Sequence, residues 1–159
     1  MNVTMTDIKK LREMTGAGLS DCKKALAESE DMDGAVAYLR KKGQAVAAKR
    51  SDREAAEGCV LVKAVDGFGA ILDLKCEHDF VANNADFVAL TQEILDAAVA
   101  NKCKTLDEVK ALPMGDGTVA DAVTARSGIT GEKMELDGYS YIESDNICTY
   151  NHMNRNGLC

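Results

Sequence analysis

Apolar residues recur along this chain at two different periods, and the switch between them divides it. Over residues 4–15, Ile8, Leu11 and Met14 fall at helical spacing, with Thr4 or Thr6 placed to cap the first turn. Gly16 and Gly18 then break the pattern. A second helix is predicted from about Leu19 to Ser29, with Leu19, Cys22, Ala25 and Leu26 on the side that buries. Asp31 caps a third, in which Met32, Ala35, Val36 and Leu39 repeat the stripe and Gly43 is expected to stop it. The Ala/Lys-rich run Gln44–Arg53 reads as a further helix or helical linker.

After that run the period shortens to that of strands. Cys59–Val65 and Phe68–Cys76 are rich in β-branched and aliphatic residues and surround Asp66-Gly67, a dipeptide that accepts the positive φ angles of a two-residue hairpin turn. Pairing about that turn sets Leu61 opposite Leu72 and Cys59 opposite Leu74. A long helix from Asp86 to about Asn101 carries Phe87, Leu90, Ile94, Leu95 and Ala98 as a stripe suited to covering the sheet. Thr105 to Glu108 is a capping-box pattern opening a short helix that Pro113 ends, and Thr118 to Asp121 opens another that Gly128 can close. Strands return at Met134–Glu143 and Ile147 to about His152, around a predicted turn at Ser144-Asp145-Asn146. The last residues, Asn156–Cys159, look like the middle of a strand, so the sequence is expected to be a fragment or to pair with something outside itself. The fold class these patterns predict is α+β, a small helical bundle followed by an antiparallel sheet packed by helices.

Composition narrows the function. At 159 residues, 46% hydrophobic and 28% charged, the chain can bury an ordinary core without staples. No apolar run approaches the roughly 20 residues needed to span a bilayer, and the first residues lack the apolar stretch of a secretion signal, so a soluble, cytoplasmic protein is expected. Residues 1–53 hold 11 basic and 8 acidic side chains, the remainder 8 and 18. An acidic body argues against direct nucleic-acid binding, because phosphate contacts supply most of such affinity. The basic N-terminal part leaves room for an acidic partner.

The residues that draw attention as chemistry cluster at Cys76-Glu77-His78-Asp79. Zinc wants four nitrogen or sulfur ligands at paired short spacings, and this stretch offers at most two. A Cys76–His78 nucleophilic pair lacks an orienting third group and an oxyanion site. The phosphate-loop, dinucleotide-binding, serine-hydrolase and zinc-protease motifs are missing from the sequence. The six cysteines, at 22, 59, 76, 103, 148 and 159, form no CxxC pair and read as buried small apolar side chains. The Gly16-Ala17-Gly18 turn could cradle an anion at the next helix start or let two helices cross closely, and it leaves Leu19 as a candidate exposed contact. Asp79 sits where a helix cap belongs, and two readings of Phe80 stand open: a core aromatic at a helix start, or an aromatic projecting from a strand-to-helix corner beside a carboxylate.

Two stretches carry a resemblance. LREMTGAGLSDCKKAL (Leu11–Leu26) resembles the N-terminal signature of translation elongation factor Ts, and DLKCEHDFVAN (Asp73–Asn83) resembles that family's second signature, in the same order and at a similar separation. His78 stands where the family usually has Thr, and Asp73 where it usually has Glu. The resemblance implies a guanine-nucleotide exchange factor for elongation factor Tu, a partner that itself holds GDP and Mg²⁺. It implies no catalytic residue, cofactor or metal in this chain. The implied organisation is a ubiquitin-associated-like three-helix domain with linker over 1–52, a first core subdomain over 55–144 and the start of a second over 145–159, as in a truncated member. The implied contact residues are His78, Asp79, Phe80 and Val81, which would disturb the partner's Mg²⁺ site, with Arg12, Leu19 and Ser20 docking the bundle. Two rivals remain at this point: an adaptor of the ubiquitin-associated type without exchange activity, and a Cys/His metal or redox protein.

Overall fold

The computed structural model of the protein describes residues 3–159. It mixes helices with antiparallel sheet, an α+β fold, and the chain packs into two compact units. One unit comprises the residues up to Asp52 together with Thr124–Glu132; the other comprises Arg53–Val123 and Lys133–Cys159.

In the first unit, α1 (Met5–Thr15), α2 (Leu19–Ala27) and α3 (Met32–Lys49) surround a core of Ile8, Leu11, Ala17, Cys22, Ala25, Leu26 and Ala35. Thr4 opens α1 with a reciprocal capping box: its Oγ1 accepts from the Asp7 amide at 3.2 Å, while Asp7 Oδ2 accepts from the Thr4 amide at 3.3 Å. Asp31 caps α3 by accepting from the Gly34 amide at 2.7 Å. Two residues of the predicted stripes stay outside. Met14 is 53% exposed because each i+3 step turns about 60° short of a full circle, so two steps carry it well round the helix from Ile8. Leu19 is 45% exposed at the first residue of α2, where no neighbouring helix covers it within this unit.

Gly43 does not stop α3, which runs unbroken to Lys49. Its missing side chain is used for a close crossing instead. A Cβ on Gly128 would meet the Gly43 Cα at 2.5 Å, and one on Gly43 would meet the Thr124 carbonyl oxygen at 3.1 Å. Gly128 belongs to α7 (Val119–Thr130), which continues past it and ends at Gly131, where φ is +73°. The expectation that these two glycines terminate helices is therefore wrong at both.

The second unit is built on β1 (Glu57–Val65) and β2 (Phe68–Cys76), joined by the Asp66-Gly67 turn with φ of 50° and 76°. The register sets Cys59 opposite Leu74 and Leu61 opposite Leu72, as the turn predicts. A one-turn α4 (Asp79–Ala82) and α5 (Ala85–Ala100) follow. Phe87, Ile94, Leu95 and Ala98 of α5 close the core against Leu72, Leu74 and Phe68, with Leu90 half-buried beside it. α6 (Leu106–Ala111) begins with the predicted Thr105–Glu108 capping box. A small ribbon of β3 (Pro113–Met114) and β4 (Gly117–Thr118) leads into α7, whose start is tied by Thr118 and Asp121.

Strand β5 (Glu135–Glu143) pairs with β2, so the sheet order is β1-β2-β5. A bulge leaves Asp137 as the extra residue, and its carboxylate meets Lys75 Nζ at 2.6 Å. That hydrogen bond and charge hold the Asp137 carboxyl below the ordinary carboxylate range, whereas burial pushes neighbouring Asp73 above it. The predicted Ser144-Asp145-Asn146 hairpin turn does not form. Only β6 (Tyr150–His152) of the expected strand is extended, and it pairs with β7 (Asn156–Leu158) in a separate ribbon that turns through Met153 and Asn154, both at positive φ. This ribbon attaches to β1: the Val60 amide donates to the Asn154 carbonyl and Asn151 Nδ2 donates to the Val60 carbonyl, each at 2.7 Å. Gly157 packs over Val60, Val62 and Ile71, on the sheet face opposite α5.

Tyr139, opposite Leu72, links sheet to helix end by donating its hydroxyl to the Cys103 carbonyl at 2.7 Å. Burial, helped by Cys103 and Glu108, pushes its phenol up from 10.0 to about 12. The folded chain thus disfavours the tyrosinate. Stability from this group is complete below about pH 10 and declines as pH rises toward 12. Tyr139→Phe should cost about 0.5–1.5 kcal/mol at neutral pH and flatten the alkaline decline. Urea midpoints measured between pH 8 and pH 11.5 (roughly the window in which tyrosines ionise) check both effects.

Candidate functional site

The corner from β2 into α4 and α5 is fastened by bonds that each have a backbone group at one end or both. Cys76, fully buried at the end of β2, donates its thiol to the His78 carbonyl at 3.3 Å. Glu77 turns to the segment leading into β5, where its Oε1 accepts from the Lys133 amide at 2.7 Å. His78 occupies the helix cap in extended backbone, without a side-chain cap bond, and its carbonyl accepts from the amides of Val81 and Ala82 at 3.2 Å. Asp79 is therefore the first helical residue and not the cap. Shortly after this turn Asn84 restarts the helix, its Oδ1 accepting from the amides of Asp86 and Phe87.

One helical turn this short has two sides. Val81 and Ala82 face inward and join the main core. His78, Asp79 and Phe80 face out, with Phe80 69% exposed. The core-aromatic reading of Phe80 is overturned; the inward positions of this turn are already filled by its two successors. The Phe80 ring stacks on the His78 imidazole, centroids 5.3 Å apart and planes 18° from parallel. The corner thus presents an aromatic pair and a carboxylate on an anchored backbone.

The buried thiols are built for packing. Burial pushes Cys22, Cys59 and Cys103 above the ordinary thiol range, which keeps them protonated and poorly nucleophilic. Cys148 is exposed and Cys159 half-buried, so the reading of all six as buried holds for four. Among the described residues no group of three or more His, Cys, Asp or Glu side chains could hold a metal ion.

Arg12, Leu19 and Ser20 lie in the other unit, all exposed, around the α1–α2 turn. Gly16 takes φ of +70° and donates its amide to the Arg12 carbonyl at 2.7 Å. Ala17 is buried, its amide donating to Thr15 Oγ1 and its carbonyl accepting from the Cys22 thiol. Leu19 and Ser20 follow on the first turn of α2. Gly16 thus serves as the left-handed end of α1, and a Cβ on Gly18 would meet nothing within 4 Å, so these glycines do not mark a close crossing of α1 and α2.

The family model for elongation factor Ts matches residues 77–159, just over half of the chain and beginning within the corner itself. The chain belongs to the elongation factor Ts family. It is 74% identical to elongation factor Ts of Bacteroides fragilis, over all of this chain and 48% of that protein. Identity is 70% to the Bacteroides thetaiotaomicron relative, over 100% of this chain and 48% of the relative. It is 58% to that of Porphyromonas gingivalis, over 96% and 56%. The chain spans about half the length of the curated relatives it matches. Among the described residues no helix is long and apolar enough to cross a membrane.

The geometry separates two neighbours by their effect on stability. Phe80→Ala should change stability by less than about 0.5 kcal/mol, as for an exposed surface position. Val81→Ala should cost about 2 kcal/mol from lost methyl burial and a small cavity. Urea denaturation of the two variants beside the parent checks the contrast.

Proposed function

We propose that this chain supplies the part of a guanine-nucleotide exchange factor that engages the G domain of elongation factor Tu during translation elongation in the cytoplasm. The observation that supports this best is Phe80, a 69% exposed aromatic on a corner where the His78 carbonyl accepts from the Val81 and Ala82 amides and where the next residues are core. Asp79 and Phe80, with His78 stacked behind, enter beside the partner's Mg²⁺ and phosphate site, while Val81 anchors them from within. The helices of residues 1–52 act as a ubiquitin-associated-like docking domain through Arg12, Leu19 and Ser20. Residues 55–144 form the first core subdomain, and 145–159 open the second. GDP and Mg²⁺ belong to the partner; this chain takes no cofactor and makes no contact with nucleic acid or membrane.

The work is done by binding alone. In the partner, metal and nucleotide hold one another, so a group that displaces the metal's surroundings weakens GDP. Linkage makes the effect reciprocal: GDP weakens the factor by the same ratio. An aromatic exposed in the free chain and buried only in the complex suits this role, since its burial contributes about 1.5–3 kcal/mol to the exchanging state and nothing to the fold.

Stopped-flow release of fluorescent GDP from elongation factor Tu tests the reading. The chain is expected to accelerate release, and Phe80→Ala to reduce the acceleration roughly ten- to hundredfold, the rate equivalent of that burial. Binding without acceleration would replace exchange by the adaptor role; equal acceleration by parent and variant would remove Phe80 from the mechanism.

A further inference from the structure

We propose that Thr124–Glu132 is a clamp that fixes the α1–α2 turn, with Leu19 and Ser20, in the geometry a protein partner meets; its functional half rests on the exchange reading above. These residues are distant in sequence from α1–α3 yet belong to the same compact unit. Two contacts seat them. The first is the Gly43–Gly128 crossing, so close that a Cβ on Gly128 would lie 2.5 Å from the Gly43 Cα. The second reaches the turn itself: the Cβ position of Gly16 lies 3.5 Å from Ile129 Cδ1 and 3.7 Å from Arg126 Nη1, and Ile129 also packs on the bundle core.

The segment is itself secured at its end. The Gly131 amide donates to the Ser127 carbonyl at 2.8 Å, Thr130 Oγ1 donates to the Arg126 carbonyl at 3.1 Å, and the Ser127 hydroxyl donates to the Glu132 carbonyl. The turn has fewer means of its own. Gly18 gives α2 no side-chain cap, and Leu19 and Ser20 are exposed, so beyond the short-range bonds at Gly16 and Ala17 the clamp is what packs on the turn. Ile129 and Gly128 are thus positioning residues, acting through the turn.

Amide hydrogen exchange on the free chain reads the clamp without a partner. Ile129→Ala is expected to speed exchange at residues 16–20 relative to the parent and to Val36→Ala. That control removes a side chain from the same core, and Val36 has no atom within 4 Å of the Gly16 Cβ position. In GDP-release kinetics, Ile129→Ala should raise the half-saturating concentration roughly three- to tenfold, as when only a tenth to a third of molecules hold the competent turn. The maximal rate, set at Phe80, should stay at the parent value. Equal effects of Ile129→Ala and Val36→Ala on both readouts, compared at matched stability, would overturn the clamp. No acceleration by the parent chain would overturn the exchange reading instead, and hydrogen exchange would still decide the clamp.

Discussion

Asp66 and Gly67 both take positive φ, and the two-residue turn they form fixes the pairing of β1 with β2. Side chains alternate along a strand, so this register decides which set faces α5. As paired, Cys59, Leu61, Leu72 and Leu74 go inward; a slip of one residue in β2 would send Asp73 and Lys75 into the core in their place. β2 is the central strand and passes the same parity to β5, where Leu136 turns in opposite Leu74. Parity also determines how β2 ends. Cys76 is the last inward position, its thiol bonds the His78 carbonyl, and the chain leaves the sheet with His78, Asp79 and Phe80 outside.

The elements legible in the sequence are those whose causes are local. The hairpin turn, the Thr4, Asp31 and Thr105 caps and the α5 stripe each depend on residues within a turn or two of one another. The misread elements depend on something far along the chain. Gly43 looks like a helix stop because a mid-helix glycine costs about 0.5–1 kcal/mol, and only the backbone at Gly128 shows what that cost is exchanged for. Ser144-Asp145-Asn146 has turn composition, but β6 finds its partner in β7 after it rather than in β5 before it. The extra helical segment of the first unit, Thr124–Glu132, carries no local sign of where it packs.

The corner was half legible for a similar reason. Spacing places a helix start near Asp79, yet local pattern cannot tell an inward Phe80 from an outward one. The choice is made by the sheet, which leaves room beneath the one-turn α4 for Val81 and Ala82 only. The residues that look reactive are then the quiet ones: the Cys76 thiol and the Glu77 carboxylate each bond a backbone group, of the corner in one case and of the segment leading into β5 in the other. What remains on the outside is the stacked His78–Phe80 pair and Asp79, and the family match begins one residue before this group.

The two surfaces proposed for partner binding share a construction. In each, the exposed apolar residue, Phe80 or Leu19, lies on the first turn of a helix, close to a buried small or branched residue: Val81 in one case and Ala17 in the other. The backbone between is held by short-range bonds, and the side chain alone remains to be ordered. Binding usually spends part of its gross energy on ordering loops, at about 0.5–1.5 kcal/mol for each immobilised side chain rich in rotamers. Phe and Leu have few rotamers, and here their backbones are already fixed. On the proposed reading, most of the burial energy at these residues is then available for the coupling that drives nucleotide out. That condition also explains why a clamp at the Gly16 end of the turn would matter: a turn left to fluctuate would return part of the energy to entropy before the partner could use it.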